Sequence, residues 1–268
     1  MSNFKEILSD HFRFRKQLIK LAISDLVKTY KGAALGWAWA VIKPAITIGM
    51  YFFAFAFGLR VGKPINGYSY FLWFISGMVP WFYISEVFTG GAWSIRRYSF
   101  LVTKIRFPIS TIPTFVCLSH LIVNCGLILL LILLYLVSGH FPDIYWLQIP
   151  FYILLMFLFF SAWSLFASML SCISSDFFQL VRSGTVILLW MSSIFYDPNN
   201  VGNRFVRALL KGSPITIIVN GFRDAFINKV WFWERPKVML CFLVLYLIML
   251  LLAIKTYGKL KKDLPDII

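Results

Sequence analysis

The sequence predicts an all-α integral membrane protein. It reads as six transmembrane helices, an N-terminal amphipathic interface helix, a basic cytoplasmic helix between the second and third spans, and short re-entrant helices before the last span. Three observations carry this reading. Of 268 residues 60% are hydrophobic and only 14% charged, outside the usual range for soluble globular chains. Several apolar runs reach the roughly 20 residues needed to cross about 30 Å of hydrocarbon. Lys and Arg gather between and beside those runs. No polar segment is long enough for a soluble domain, so residues 1–268 read as one membrane domain. The net charge of +15 is explained by orientation and by contact with anionic membrane lipid, and no nucleic-acid partner is expected.

Residues 1–17 hold Lys5, Glu6, Asp10, Arg13, Arg15 and Lys16 without an apolar core, so they are not read as a signal peptide and the first span is expected to direct its own insertion. Over 12–31, Ile19, Ala22, Ile23, Leu26 and Tyr30 recur at three and four, opposite Gln17, Lys20, Ser24, Lys28 and Lys31, which predicts a basic helix lying flat on the membrane. The run Tyr30 to Pro44 then takes the chain into the bilayer. Lys28 and Lys31 stay on the wet side, Trp37 and Trp39 suit headgroup depth, and Gly32 and Gly36, four apart, are expected to share a close-packing helix face. Lys43-Pro44 is expected to bend the entering helix. The spans are expected at about 37–59, 68–90, 111–137, 146–173, 180–196 and 238–254. Between the second and third, 92–108 carries Arg96, Arg97, Lys104 and Arg106 with no acid, and Ile95, Tyr98, Leu101, Val102 and Ile105 keep helical spacing. Residues 197–237 are too polar for a span, but apolar patches at 208–210 and 214–227 predict two short dipping helices.

Counting Lys and Arg near the spans puts both termini in the cytoplasm. That side collects the seven basic residues from Lys5 to Lys31, those of 92–108, Arg182 and the tail lysines; the first two loops opposite hold only Arg60 and Lys63. The seven basic residues of 197–237 run against this bias; if 214–227 were itself a span, the tail would cross to the other side.

Enzymatic chemistry is missing from the motifs. No phosphate-binding G-x-x-x-x-G-K-[ST] occurs, so the chain itself is not expected to hold ATP, and no HExxH, GxSxG or metal-spaced His/Cys set appears. No catalytic residue, metal or cofactor is expected in this chain. Cys117, Cys125, Cys172 and Cys241 read as small packing residues. Glu86 is the one acid well inside a span and is expected to pair with a nearby loop arginine, while His120 and Asn124, at i and i+4, are expected to bond between helices. Aromatics make up 19% of the chain and crowd spans one, two and four, either facing lipid or lining a path whose rings stack on sugars; Tyr51 in span one is the best candidate for the latter.

Three stretches resemble the membrane subunits of ABC-2-type exporters, closest to the branch that exports polysaccharides, O-antigens and teichoic acids. They are Tyr30-Lys-Gly-Ala-Ala-Leu-Gly-Trp37 continuing to Lys43-Pro44, then Leu101-Val-Thr-Lys104-Ile-Arg-Phe-Pro108, and then Ile194-Phe-Tyr196 followed by Ser213-Pro214 and Gly221-Phe-Arg223-Asp224. The third departs from the family pattern, with Ser213 before the proline and Ser192-Ser193 near the end of span five. The resemblance implies a permease that pairs with a second copy of itself and with two ATP-binding cassette ATPase subunits, which hold ATP and Mg. It implies that 92–108 is the coupling helix, with Arg96, Arg97, Tyr98, Leu101, Lys104 and Arg106 docking the ATPase and Ser175 and Asp176 adding a smaller contact. The flat helix becomes a gate helix. Lys28, Tyr30, Lys31, Gly32, Gly36, Trp37, Trp39, Lys43 and Tyr51 become the entrance and path, and Tyr196, Pro214, Arg223 and Asp224 the outer gate. Arg223 is expected to meet an emerging pyrophosphate or to pair with Asp224. The implied substrate is a polyprenyl-linked glycan or teichoic acid crossing a bacterial plasma (inner) membrane. The alternatives are an ABC-2 permease for drugs or lipids and, from another class, an integral membrane transferase that modifies glycolipids; Glu86 and Asp176 do not supply the paired acids that such a transferase needs.

Overall fold

A computed structural model describes residues 2–32, 34–58, 64–105 and 107–264. Five stretches are long and apolar enough to cross a membrane: Gly36–Gly58, Tyr70–Ala92, Ile109–Val137, Ile144–Ile173 and Pro236–Leu260. Their cores are α3 (Trp39–Phe53), α4 (Tyr70–Ala92), α7 (Ile112–Val137), α8 (Ile149–Ile173) and α12 (Pro236–Leu260). Proline stands in the first turn of α7, α8 and α12, where a missing N–H costs no intrahelical bond. Pro44 and Pro80 lie inside continuous helices α3 and α4. The turn before α4 is built on Asn66-Gly67, both at positive φ, with Ile65 and Tyr68 bonding backbone to backbone. That is the chemistry of a two-residue hairpin turn.

The expected fifth span is shorter and earlier than 180–196. Helix α9 covers Ser175–Trp190, started by Ser174 accepting from the Phe177 N–H. Its 16 residues rise about 24 Å, less than the hydrocarbon thickness. Residues 191–196 leave the helix, yet Ser192, Ser193, Ile194 and Phe195 are all buried. The two short helices expected within 197–237 are present as α10 (Arg204–Gly212) and α11 (Pro214–Arg223). α11 is buried almost all round, with Val219 beside Gly77 of α4 and Gly221 pressed against the Tyr152 ring of α8.

The helix expected over 12–31 is two helices, α1 (Ser2–Arg13) and α2 (Arg15–Tyr30). The buried face of α2 is Leu18, Ala22, Asp25 and Leu26, while Ile19 and Ile23 are about half exposed. The stripe is thus rotated from the one expected, because an acid occupies its centre. The helix expected over 92–108 is also divided, into α5 (Ser94–Arg97) and α6 (Ser99–Thr103), since the chain leaves helical geometry at Tyr98. α1 and the C-terminal end of α12 lie at the same end of the bundle as α5 and α6. Lys261 and the Tyr257 hydroxyl hold Glu6, and Asp10 and His11 bond Ser110 and Thr114 just before and within α7.

α3 and α4 are opposite in character. α4 is buried along most of its length; α3 has no buried residue at all within the chain.

Candidate functional site

At the end that holds the termini, α2 and the α5–α6 segment are joined through Asp25. This carboxylate is 2% exposed, accepts a hydrogen bond from the Tyr98 hydroxyl and lies 3.3 Å from the Arg97 guanidinium. Burial first, and then the bond to Asp25, holds the Tyr98 hydroxyl pKa well above its ordinary value, so it stays a donor. The charge pattern of α2 gave no sign of this: an acid in the middle of an apolar stripe is the signal that periodicity reading passes over.

Arg96 turns the other way. It donates to the Ser175 hydroxyl (3.1 Å) and the Cys172 carbonyl (3.0 Å), and stacks over Trp93. The 93–103 segment and the start of α9, expected as two contacts for one partner, therefore adjoin one another, with Trp93 also packed on Phe178 at 4.4 Å. The residues expected to dock differ in their exposure. Tyr98 and Leu101 are 6% and 4% exposed and pack inward beside Phe115. Arg96 and Arg97 are engaged within the chain. The exposed side chains of the segment are Arg97, Phe100, Thr103, Lys104 and Ile105 among the described residues, with Asp176 exposed nearby. Ile105 shares the helical spacing of Ile95, Tyr98, Leu101 and Val102, which are buried, but it lies beyond the end of α6 at Thr103 and is exposed. Arg106 lies outside the described residues.

A second cluster lies where α3 begins. A cleft of about 260 Å³ opens between α2, α3, α4 and α7, lined among others by Tyr30, Trp39, Lys43, Glu86, His120 and Asn124. Lys43 donates to Glu86 at 2.8 Å, so the partner of Glu86 is a lysine of the first span rather than a loop arginine. Asn124 donates to the Val79 carbonyl at 2.7 Å, bonding α7 to α4 as expected. Tyr30 stacks on Trp37 at 5.2 Å, and Lys28, Lys31 and Trp39 are exposed nearby. The two glycines serve a different end from the one expected. Gly32 and Gly36 have φ of +94° and +48°, and a side chain at either would meet nothing within 4 Å. They turn the backbone between α2 and α3 through the left-handed region and pack against no helix.

At the opposite end, Tyr51 and Phe55 of the first span meet Phe195 at 5.0 and 4.7 Å. Tyr196 bonds back to the Trp190 carbonyl, and Pro214 opens α11. Arg223 is buried, 2% exposed, and donates to backbone carbonyls of Trp73 and Ile194 at 3.2 and 2.8 Å and of Ser193. It neither faces outward toward a phosphate nor pairs with Asp224. Asp224 binds Arg235 at 2.9 Å and Asn228 at 2.8 Å instead, because successive residues of a helix point in different directions.

Comparison with known proteins extends this picture. The sequence profile of the ABC-2 type transporter family matches residues 16–227. An O-antigen export system permease protein of Klebsiella pneumoniae is 24% identical over 253 residues, 94% of each chain. A protein of the same description from Myxococcus xanthus is 23% identical over 224 residues, 82% of this chain and 84% of its own.

Proposed function

The chain belongs to the ABC-2 type transporter family, and from that premise we propose that it is the permease subunit of an ATP-driven exporter of a lipid-linked polysaccharide. The observation that carries the substrate class is that relatives described as O-antigen export permeases align with it almost end to end. The aromatic meeting of Tyr51, Phe55 and Phe195 supports it: rings stack on sugar faces, and the tyrosine tip can bond hydroxyls.

On this reading α9 together with 191–196 makes a sixth crossing, and α10 and α11 re-enter from the outer side. The basic residues at the end with the termini favour a cytoplasmic placement for it, in the inner membrane of a bacterium. A second copy covers the bare first span, so that the paired α3 helices flank the path. Two ATPase subunits, carrying ATP and Mg, dock at the termini end on Phe100, Lys104, Ile105 and Asp176. Lys28, Lys31 and Lys43 receive the anionic carrier lipid at the cleft beside α2.

The test is capture of the tagged chain from its own cells under gentle solubilisation. A P-loop ATPase is expected at about one per permease. Charge reversal at Lys104 and Asp176 together is expected to release it while leaving the permease folded, since neither side chain bonds another side chain among the described residues. If a stable permease retains no ATPase, the exporter reading fails.

A further inference from the structure

Helix α9 ends at Trp190, and of the six unwound residues after it the four from Ser192 to Phe195 are buried. Carbonyls of a broken helix in a water-free interior must find donors within the protein. Ser192 and Tyr196 serve the Leu189 and Trp190 carbonyls locally, and one side chain from another helix serves the next ones in the strap. The two terminal nitrogens of Arg223 serve the carbonyls of Ser193 and Ile194, and its Nε serves the Trp73 carbonyl of α4. The guanidinium plane lies 3.4 Å from the Trp73 ring centroid, and Nη1 also reaches Asn220 Oδ1 at 3.4 Å. A planar fork presents its donors from three separate nitrogens in fixed directions, which suits three carbonyls on two elements; an ammonium offers three donors from one point.

Two features show that the seat is built for this group. Gly77 of α4 faces it, and a methyl at that position would sit 2.7 Å from Nη2. No carboxylate touches the guanidinium among the described residues, although Asp224 is its sequence neighbour. The front of the unwound strap carries Phe195, packed among Tyr51, Phe55, Phe74 and Trp190.

We propose that Arg223 is the positioning residue of a barrier across the export path: by gripping the Ser193 and Ile194 carbonyls from behind, it holds the Phe195 plug against the first span, and the grip is released for substrate to pass. This rests on the exporter reading above. Bonds to neutral carbonyls suit a grip that opens, because they are individually weaker than those of a buried ion pair and can be exchanged for other acceptors.

The test uses the full permease–ATPase complex in proteoliposomes. Ser193→Cys keeps the carbonyl that is gripped and reports whether the strap is open to a membrane-impermeant maleimide added from the outer face, measured over the background of the four native cysteines. Without ATP, labelling is expected to be slow in this background and roughly tenfold faster when Arg223→Gln or Gly77→Ala is added, with Arg223→Lys between. Gly77→Ala combined with Arg223→Lys is expected to label no faster than Arg223→Lys alone, because lysine lacks the nitrogen that the new methyl would strike. If Arg223→Gln does not assemble, the Gly77 and lysine variants decide the matter. Unchanged labelling in assembled variants, or additive effects of Gly77→Ala and Arg223→Lys, overturns the proposal. Labelling needs no glycan, so the two readings fail separately. Faster labelling in a chain that exports no polysaccharide retains the clamp and removes the exporter reading; polysaccharide export with unchanged labelling removes only the clamp.

Discussion

The two ends of the bundle solve the same problem in opposite ways. At the end with the termini, short helices are tied down by acids: Glu6 to Lys261, Asp10 to Ser110, Asp25 to Tyr98 and Arg97. At the other, a single arginine holds an unwound strap through neutral carbonyls, and nearby acids are engaged elsewhere. The difference follows from access to water. The Glu6–Lys261 and Asp25–Arg97 pairs each keep at least one partner partly solvated, although the Asp25 carboxylate itself is buried, and a charge is tolerated there because an opposite charge meets it. In the buried strap each polar atom has to be matched by geometry, and an equivalent charge is no substitute. Substitutions at the two ends should therefore fail differently.

The largest effect is expected in the buried region. Gly221 lies against the Tyr152 ring, so Gly221→Val drives a branched side chain into a packed aromatic and should cost about 3 kcal/mol or more. Thermal unfolding of the purified protein reads this; a midpoint near the native one would break the claim that α11 is wedged in the core. Next comes Asp25→Ala, which strands the buried Tyr98 hydroxyl and should cost about 2 kcal/mol. Asp25→Asn keeps an acceptor and should recover more than half of that loss. Equal losses for both would mean that charge alone matters at this end, and the contrast with the strap would weaken.

Much of this was legible in the sequence, and the failures have physical causes. Apolar run length placed four of the spans within a few residues, because hydrocarbon thickness dictates it. It misplaced α9, whose short helix is completed by an unwound strap that hydropathy cannot distinguish from helix. The basic 92–108 segment was identified by charge and its apolar stripe by spacing, since Ile95, Tyr98, Leu101 and Val102 are all buried; the stripe ends with α6 at Thr103, and Ile105 beyond it is exposed. Asp25 was invisible, since its meaning depends on a partner 73 positions away. Arg223 was marked as a site residue but given the wrong partner: a sequence shows that arginine is suited to phosphate, and it does not show that three carbonyls already occupy the fork.

Lys43 and Glu86 test exchangeability directly. Their side chains are 72% and 48% exposed within the chain, so the pair should add about 1 kcal/mol or less to stability. Lys43→Glu should lower the unfolding midpoint slightly, and adding Glu86→Lys should restore it. If the proposed function holds and Lys43 receives the carrier lipid, export, followed as glycan reaching the cell surface, should stay impaired in the swapped protein. Full recovery of export by the swap would reduce this pair to a structural tie.

The smallest effect is also the cleanest separation of the two ends. The hydrogen bond from Lys261, opposed by partial burial and reinforced by Tyr257, holds the Glu6 carboxyl below its ordinary value of 4.5. A lowered folded-state value means that the ionised form favours the fold. The contribution is present in full above the ordinary value and is lost as the pH falls through the lowered one. For an exposed pair it stays below about 1 kcal/mol. Comparing native protein with Glu6→Gln isolates it from Asp10 and Asp25, which both proteins share. The gap between their unfolding midpoints should be constant from pH 8 to 5 and close below 4.5. The gap between native protein and Arg223→Lys should not move over that range, since no described carboxylate contacts the guanidinium. If both gaps closed together on acidification, the strap would depend on an acid after all, and the division between the two ends would be wrong.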